Sequence, residues 1–327
     1  MAQNALDFPV PNFLHQKGPF PSEIPNGPFP TSVVRDNPTQ QFIDASTSEF
    51  LQCLNASGVL LKDDKKRDCI ALMWAALRGN TLCLDYLLTN RAPVETADRN
   101  GVTALMFAAR EGHTSCTIAL LAAGARPNRA SSHGYTALMM AADAGHMTVV
   151  DLLTAHTQLE SHDAYGHTAL LLAAKQGHLA VVVSLLRARA DASARTTLDQ
   201  TALHLAALGG NADVVQQLAA SLPLDARDRF GATALLLAAR RGHVSTIRQL
   251  LQGGAAVDAR DDMGNTPLMA AAGAGFAEAM AVLLGAGVDV TAQNKCGGTA
   301  LMAAAVSGHN TCVTLLLEAL SSLIKTQ

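Results

Sequence analysis

The chain has 327 residues, of which 49% are hydrophobic and only 16% charged, and its formal net charge is −3. Such a chain has no broad electrostatic field with which to attract nucleic acid or an acidic membrane surface. It has no apolar run of about 18 residues, the length that marks a membrane span, and Met1 to Asp7 lacks the basic and apolar regions of a signal peptide. A cytoplasmic location is expected, with a nuclear or cytoskeletal one also open; no nucleic-acid partner and no transmembrane segment are expected.

Residues 1–40 carry eight of the twelve prolines and a duplicated Gly-Pro-Phe-Pro at 18–21 and 27–30. Proline removes a backbone donor and fixes φ, so this stretch is expected to be a disordered tail. Phe20 and Phe29 are candidate anchors for a partner's groove, but no nearby pair of basic residues supports an SH3-type ligand. From Gln41 the run Phe42 to Asn55, followed by Gly58, matches the second half of the unit described next, with Leu54 lying 33 residues before Leu87. Residues 41–64 are therefore read as an N-terminal cap.

Near copies of Gly101-Val-Thr-Ala-Leu-Met-Phe-Ala-Ala-Arg-Glu-Gly-His113 follow along the rest of the chain. The marker leucines Leu72, Leu105, Leu138, Leu170, Leu203, Leu235, Leu268 and Leu301 are spaced by 33, 33, 32, 33, 32, 33 and 33 residues. Self-similarity at that period indicates a stack of repeats. The units run 65–97, 98–130, 131–162, 163–195, 196–227, 228–260, 261–293 and 294–327 within a repeat domain over 41–327.

In the unit at 98–130, Asp98 and Gly101 suit the first and fourth places of a type I turn. Thr103 is a helix N-cap, and Leu105, Ala108 and Ala109 form one apolar face at i, i+3 and i+4. Gly112 can end that helix in the left-handed region. A second helical run through Ile118, Leu120 and Leu121 stops at Gly124. Helices of two to three turns are too short to stand alone in water, so stacking is obligatory.

This turn–helix–helix unit resembles the ankyrin repeat over roughly residues 41–327. Only Thr266-Pro267-Leu268 keeps the proline of that family's pattern and only Thr201-Ala202-Leu203-His204 keeps its histidine. The resemblance implies an all-α ankyrin-repeat solenoid and a non-enzymatic scaffold or adaptor. It would bind a partner protein, of unstated identity, through its concave groove and turn tips. Other roles the resemblance allows are a regulatory partner of a protein kinase and a cytoskeletal or membrane-linking scaffold.

Three local departures stand out. The first unit has Asp68 and Ile70 where the turn glycine and capping threonine belong, so Leu72→Ala is expected to be tolerated better than Leu170→Ala. The unit at 196–227 has Asp199 at the turn-glycine position, Gln217 where other units are expected to bury Val or Leu, and Leu222-Pro223 at the helix stop. The stack is expected to loosen there. Cys83, Cys116 and Cys312 share one position and read as small core residues, whereas Cys69 and Cys296 are expected on turns as exposed thiols. Repeats about 8–10 Å apart separate Cys83 from Cys116 too far for a disulfide, which needs Cα atoms within about 7 Å.

His113, His146, His178, His243 and His309 recur in the Gly-His pair between helices. Each belongs to a different repeat, so they cannot share a metal ion whose ligands lie about 2 Å away. The resemblance implies that this histidine bonds neighbouring loops. No P-loop, dinucleotide fingerprint, kinase signature or Gly-x-Ser-x-Gly elbow is present. Neither a catalytic site nor a cofactor is expected.

Two sets of partner-binding candidates remain. The ends of the first helices carry Arg110, Lys175, Arg240 and Arg241, whose charge would favour an acidic or phosphorylated peptide. The third residue of successive turns reads Arg67, Asn100, His133, Tyr165, Leu198, Phe230, Met263 and Cys296. Tyr165, Leu198, Phe230 and Met263 would form an apolar stripe along one edge, a feature soluble proteins usually reserve for binding. Tyr135 is a further aromatic candidate.

Overall fold

The computed structural model describes residues 64–326. The proline-rich tail and all but the last residue of the cap at 41–64 lie outside the described residues. Sixteen α-helices and no strand occur among the described residues.

The helices come in pairs: α1 (Asp64–Arg78) with α2 (Thr81–Thr89), α3 (Ala104–Arg110) with α4 (Thr114–Ala122), and α5 (Ala137–Ala144) with α6 (Met147–Thr154). Next come α7 (Ala169–Gln176) with α8 (Leu179–Arg187), and α9 (Ala202–Gly209) with α10 (Ala212–Ala219). The last are α11 (Ala234–Arg241) with α12 (Val244–Gln252), α13 (Pro267–Ala274) with α14 (Ala277–Gly285), and α15 (Ala300–Val306) with α16 (Asn310–Thr326). From α3 to α15 successive odd helices pack on one another, and the even helices from α2 onward form a second row.

The packing follows from the repeated apolar face. The marker leucines from Leu72 to Leu268 are all buried, as are the alanine pairs such as Ala108–Ala109 and Ala173–Ala174. Alanine lets neighbouring helices approach closely, and each buried leucine contributes about 1.5–3 kcal/mol. Threonine fixes where the odd helices begin: the Oγ1 atoms of Thr168 and Thr266 accept from the amides of Leu171 and Met269 at 3.4 and 3.3 Å. Glycine fixes where they end. Gly145 sits at φ 82° with the His178 ring against it, where an added Cβ would lie 2.6 Å from Nδ1.

Four local expectations are corrected. Asp68 and Ile70 form no turn; with no capping threonine to start it later, α1 runs unbroken through both for 15 residues. Cys69 consequently lies buried in α1, its Sγ 3.0 Å from Thr96 Oγ1, and not on an exposed turn. Gln217 takes no core place, since it is exposed beside the buried Leu218. Leu72 is as fully buried as Leu170, and the marker with less cover is Leu301 on the last odd helix, which is only half-buried.

Cys83, Cys116 and Cys312 are buried, and burial pushes the Cys116 thiol up to about 11. Cys296 is exposed on its turn.

Candidate functional site

The turn tips are built by one recurring side chain. In six of the described turns the first residue folds back so that its side-chain oxygen accepts from backbone amides two and four residues on, and in a seventh Ser131 Oγ accepts from Tyr135, four residues on. Asp163 Oδ1 accepts from Tyr165 and His167 at 2.8 Å each, Asp228 Oδ1 from Phe230 and Ala232 at 2.9 Å each, and Asp261 Oδ1 from Met263 and Asn265 at 2.9 and 2.8 Å. Thr196 and Asn294 do the same for Leu198 and Cys296. Asp163 also bonds the His167 ring. Burial pushes its carboxyl up, but the bonds from the His167 side chain and backbone outweigh this and hold it below the usual carboxylate range.

Successive tips are then tied by a backbone ladder. The carbonyl of the third tip residue accepts from the amide of the second residue in the next turn: Tyr165 from Thr197 at 2.9 Å, Leu198 from Arg229 at 2.9 Å, Phe230 from Asp262 at 3.0 Å and Met263 from Lys295 at 3.0 Å. These bonds fix the register of the third residues along the edge. Buried backbone groups that are already paired leave only the side chains to vary.

Of the stripe, Tyr165, Phe230 and Met263 are 52%, 44% and 59% exposed. Leu198 is half-buried and less available. Tyr135 is likewise half-buried, and burial together with the Asp163 and Asp143 carboxylates raises its hydroxyl above the ordinary tyrosine value. That places Tyr135 against the next turn.

The basic candidates are not equivalent. Arg110 pairs with Glu111 at 2.8 Å and lies over the Phe107 ring at 5.3 Å. Lys175 is half-buried at the end of α7, whereas Arg240 and Arg241 are both exposed at the end of α11. Arg240 approaches Asp261 only to 3.7 Å, beyond hydrogen-bond range.

Three of the five Gly-His histidines bridge repeats. Nε2 of His113, His178 and His243 lies 3.2, 3.0 and 3.1 Å from the carbonyls of Leu77, Asp143 and Leu208 in the odd helix of the preceding unit. Asn211, standing at that position in its own unit, reaches the carbonyls of Ala174 and Lys175. No group of three or more potential metal ligands is found among the described residues.

Sequence reasoning missed that the acidic first residues are the buried posts of the tips. The signal was present as a column of Asp98, Ser131, Asp163, Thr196, Asp228, Asp261 and Asn294, all short side chains with an oxygen acceptor. No helix among the described residues is long and apolar enough to cross a membrane.

No curated protein matches the chain. The family model described as ankyrin repeats (3 copies) matches residues 44–131, 129–196, 188–261, 203–294 and 242–326. Ankyrin repeats are in general protein–protein interaction modules, in a family that is typically non-enzymatic. With paired helices, threonine caps and bridging histidines repeating under those matches, the chain belongs to the ankyrin-repeat family.

Proposed function

We propose that this protein is a non-enzymatic scaffold or adaptor that holds a partner protein in its concave groove and against its turn tips. The observation that carries the reading is the exposure of Tyr165, Phe230 and Met263 on tips whose backbones are tied in register. Aromatic side chains held rigidly cost little entropy on binding and are the commonest hot spots. Large apolar side chains exposed along one edge are a common mark of a binding surface.

The stripe acts without contributing to the core, so binding and stability separate. In proximity labelling from the native cell followed by capture with purified protein, Tyr165→Ala and Phe230→Ala are expected to lose the partner that the unaltered chain retains. Their thermal unfolding should stay nearly unchanged. If both variants instead melt markedly earlier, the side chains serve the stack and the binding role fails.

A further inference from the structure

Columns read across the stack at the 33-residue register show where the groove changes character. The fourth residue of the odd helices reads Phe107, Met140, Leu172, Leu205, Leu237, then Ala270 and Ala303. Three residues on, the column ends Arg240, Gly273, Val306. Bulky side chains therefore floor the groove as far as α11, and past that point the floor drops.

A hollow of about 550 Å³ opens there, lined on its floor by Met269, Ala270, Gly273 and Ala303 and at its far edge by Met302 and Val306. Its volume lies within the range typical of ligand sites. Met302 and Val306 are 55% and 90% exposed. Gly273 accounts for much of the space: a Cβ built there would meet only the Ala303 methyl, at 3.7 Å.

Arg240 stands at the other end of the hollow. The carboxylate nearest to it, Asp261, is already engaged. Its Oδ1 takes two backbone amides and its Oδ2 takes Asn265 Nδ2 at 3.1 Å. Asn265 Oδ1 in turn takes Asn294 Nδ2 at 2.9 Å. The polar wall is thus satisfied within itself, and Arg240 is left with one 3.7 Å charge contact. Its neighbour Arg241 is exposed too. An incoming carboxylate would gain a bidentate guanidinium partner without breaking a hydrogen bond of the fold.

We infer that this hollow binds an extended acidic peptide segment, with one apolar side chain seated over Gly273 and a carboxylate two or three residues away on Arg240 and Arg241. The spacing follows from geometry. Adjacent helices lie about 8–10 Å apart, and an extended chain advances about 3.3 Å per residue. The inference rests on the groove reading above and adds the chemistry of the segment it takes.

The test is fluorescence polarisation with the full chain and the labelled peptide Glu-Glu-Ser-Phe-Gly, made also in reversed order, titrated to millimolar protein at low and high salt. The counterparts are Gln-Gln-Ser-Phe-Gly, Lys-Lys-Ser-Phe-Gly and Glu-Glu-Ser-Ser-Gly. The glutamate–phenylalanine peptide is expected to bind in one orientation, tenfold or more tighter than any counterpart, and to weaken with salt. Gly273→Leu fills the hollow on an unstrained helical backbone and should abolish binding while melting no earlier than the unaltered chain. The double variant Arg240→Glu, Arg241→Glu should shift preference to the lysine peptide. Absence of saturable binding in both orientations, equal binding of the glutamine peptide, or unaltered binding by Gly273→Leu overturns the inference. Capture of the cellular partner by the Tyr165 and Phe230 variants is a separate readout. A partner lost from those variants but kept by Gly273→Leu would leave the tip reading standing and remove the hollow.

Discussion

His204 is wholly buried in α9, and its Nε2 lies 3.1 Å from the carbonyl oxygen of Ala232 in the following unit. The proton is on Nε2, because Nδ1 accepts from the backbone amide of Thr201 at 3.2 Å and faces the Thr201 hydroxyl at 2.8 Å. The same ring therefore caps its own helix and ties it to the next. Elsewhere this column holds Met106, Met139, Leu171, Leu236, Met269 and Met302.

Burial holds the His204 imidazole below the ordinary histidine value of 6.5, partly offset by the bond to the Ala232 carbonyl. The unfolded chain then binds a proton more readily than the folded one. With a depressed folded-state value, the stabilising neutral form is fully present above pH 6.5 and its contribution is lost as pH falls below that. Urea midpoints measured between pH 7 and pH 5 should fall with acidification. In His204→Leu, which matches the residue in two other units, that fall should be smaller; an identical decline would show that other groups cause it.

Burial of the marker leucines sets the cost of truncating them. Leu170→Ala should cost about 2–5 kcal/mol through lost transfer energy and the cavity left behind. Leu72→Ala should cost about the same, because its side chain is equally covered. Leu301→Ala should cost less, since that side chain keeps water contact in the folded protein. Denaturant titrations of the three variants check the order, and a loss at Leu301 equal to that at Leu170 would contradict it.

The unit containing α9 and α10 should open before its neighbours. At the joints between units a side-chain oxygen accepts from a backbone amide about one repeat on: Asn128 from Gln158 at 2.8 Å, Glu160 from Asp191 at 2.8 Å, Asp225 from Ala256 at 2.9 Å. The amide due at residue 223 is missing because that residue is Pro223. Ser193, which would be its acceptor, is bonded to Asp191 instead.

The same unit holds Asp199 at φ 58°, where glycine stands elsewhere. A side chain in that region costs about 1 kcal/mol. Native-state hydrogen exchange should show earliest opening at α9 and α10 within 131–293, and Asp199→Gly should delay it. Uniform protection across those residues would exclude the weak joint.

The period and caps of the odd helices were legible in the sequence, since Thr103, Leu105, Ala108 and Gly112 each have one local role repeated at fixed spacing. The same holds for the bridging histidines, whose placement one to a repeat rules out a shared metal on spacing alone. Short-range chemistry of this kind is decided by residues a few places apart, and it decided the fold. Which side chains remain available is a different question, because exposure depends on the neighbouring unit. Tyr135 and Tyr165 are both tyrosines at turns, yet one is half-covered against Asp163 and the other stands clear. Arg110 and Arg240 occupy one column, yet one is paired with Glu111 and the other borders an open hollow. Gly273 is a glycine in a helix by sequence, and only stacking against α15 turns its missing side chain into space. Local spacing sets the repeat and its stack, whereas packing between units sets which surface is free, because covering a side chain takes atoms about 33 residues away.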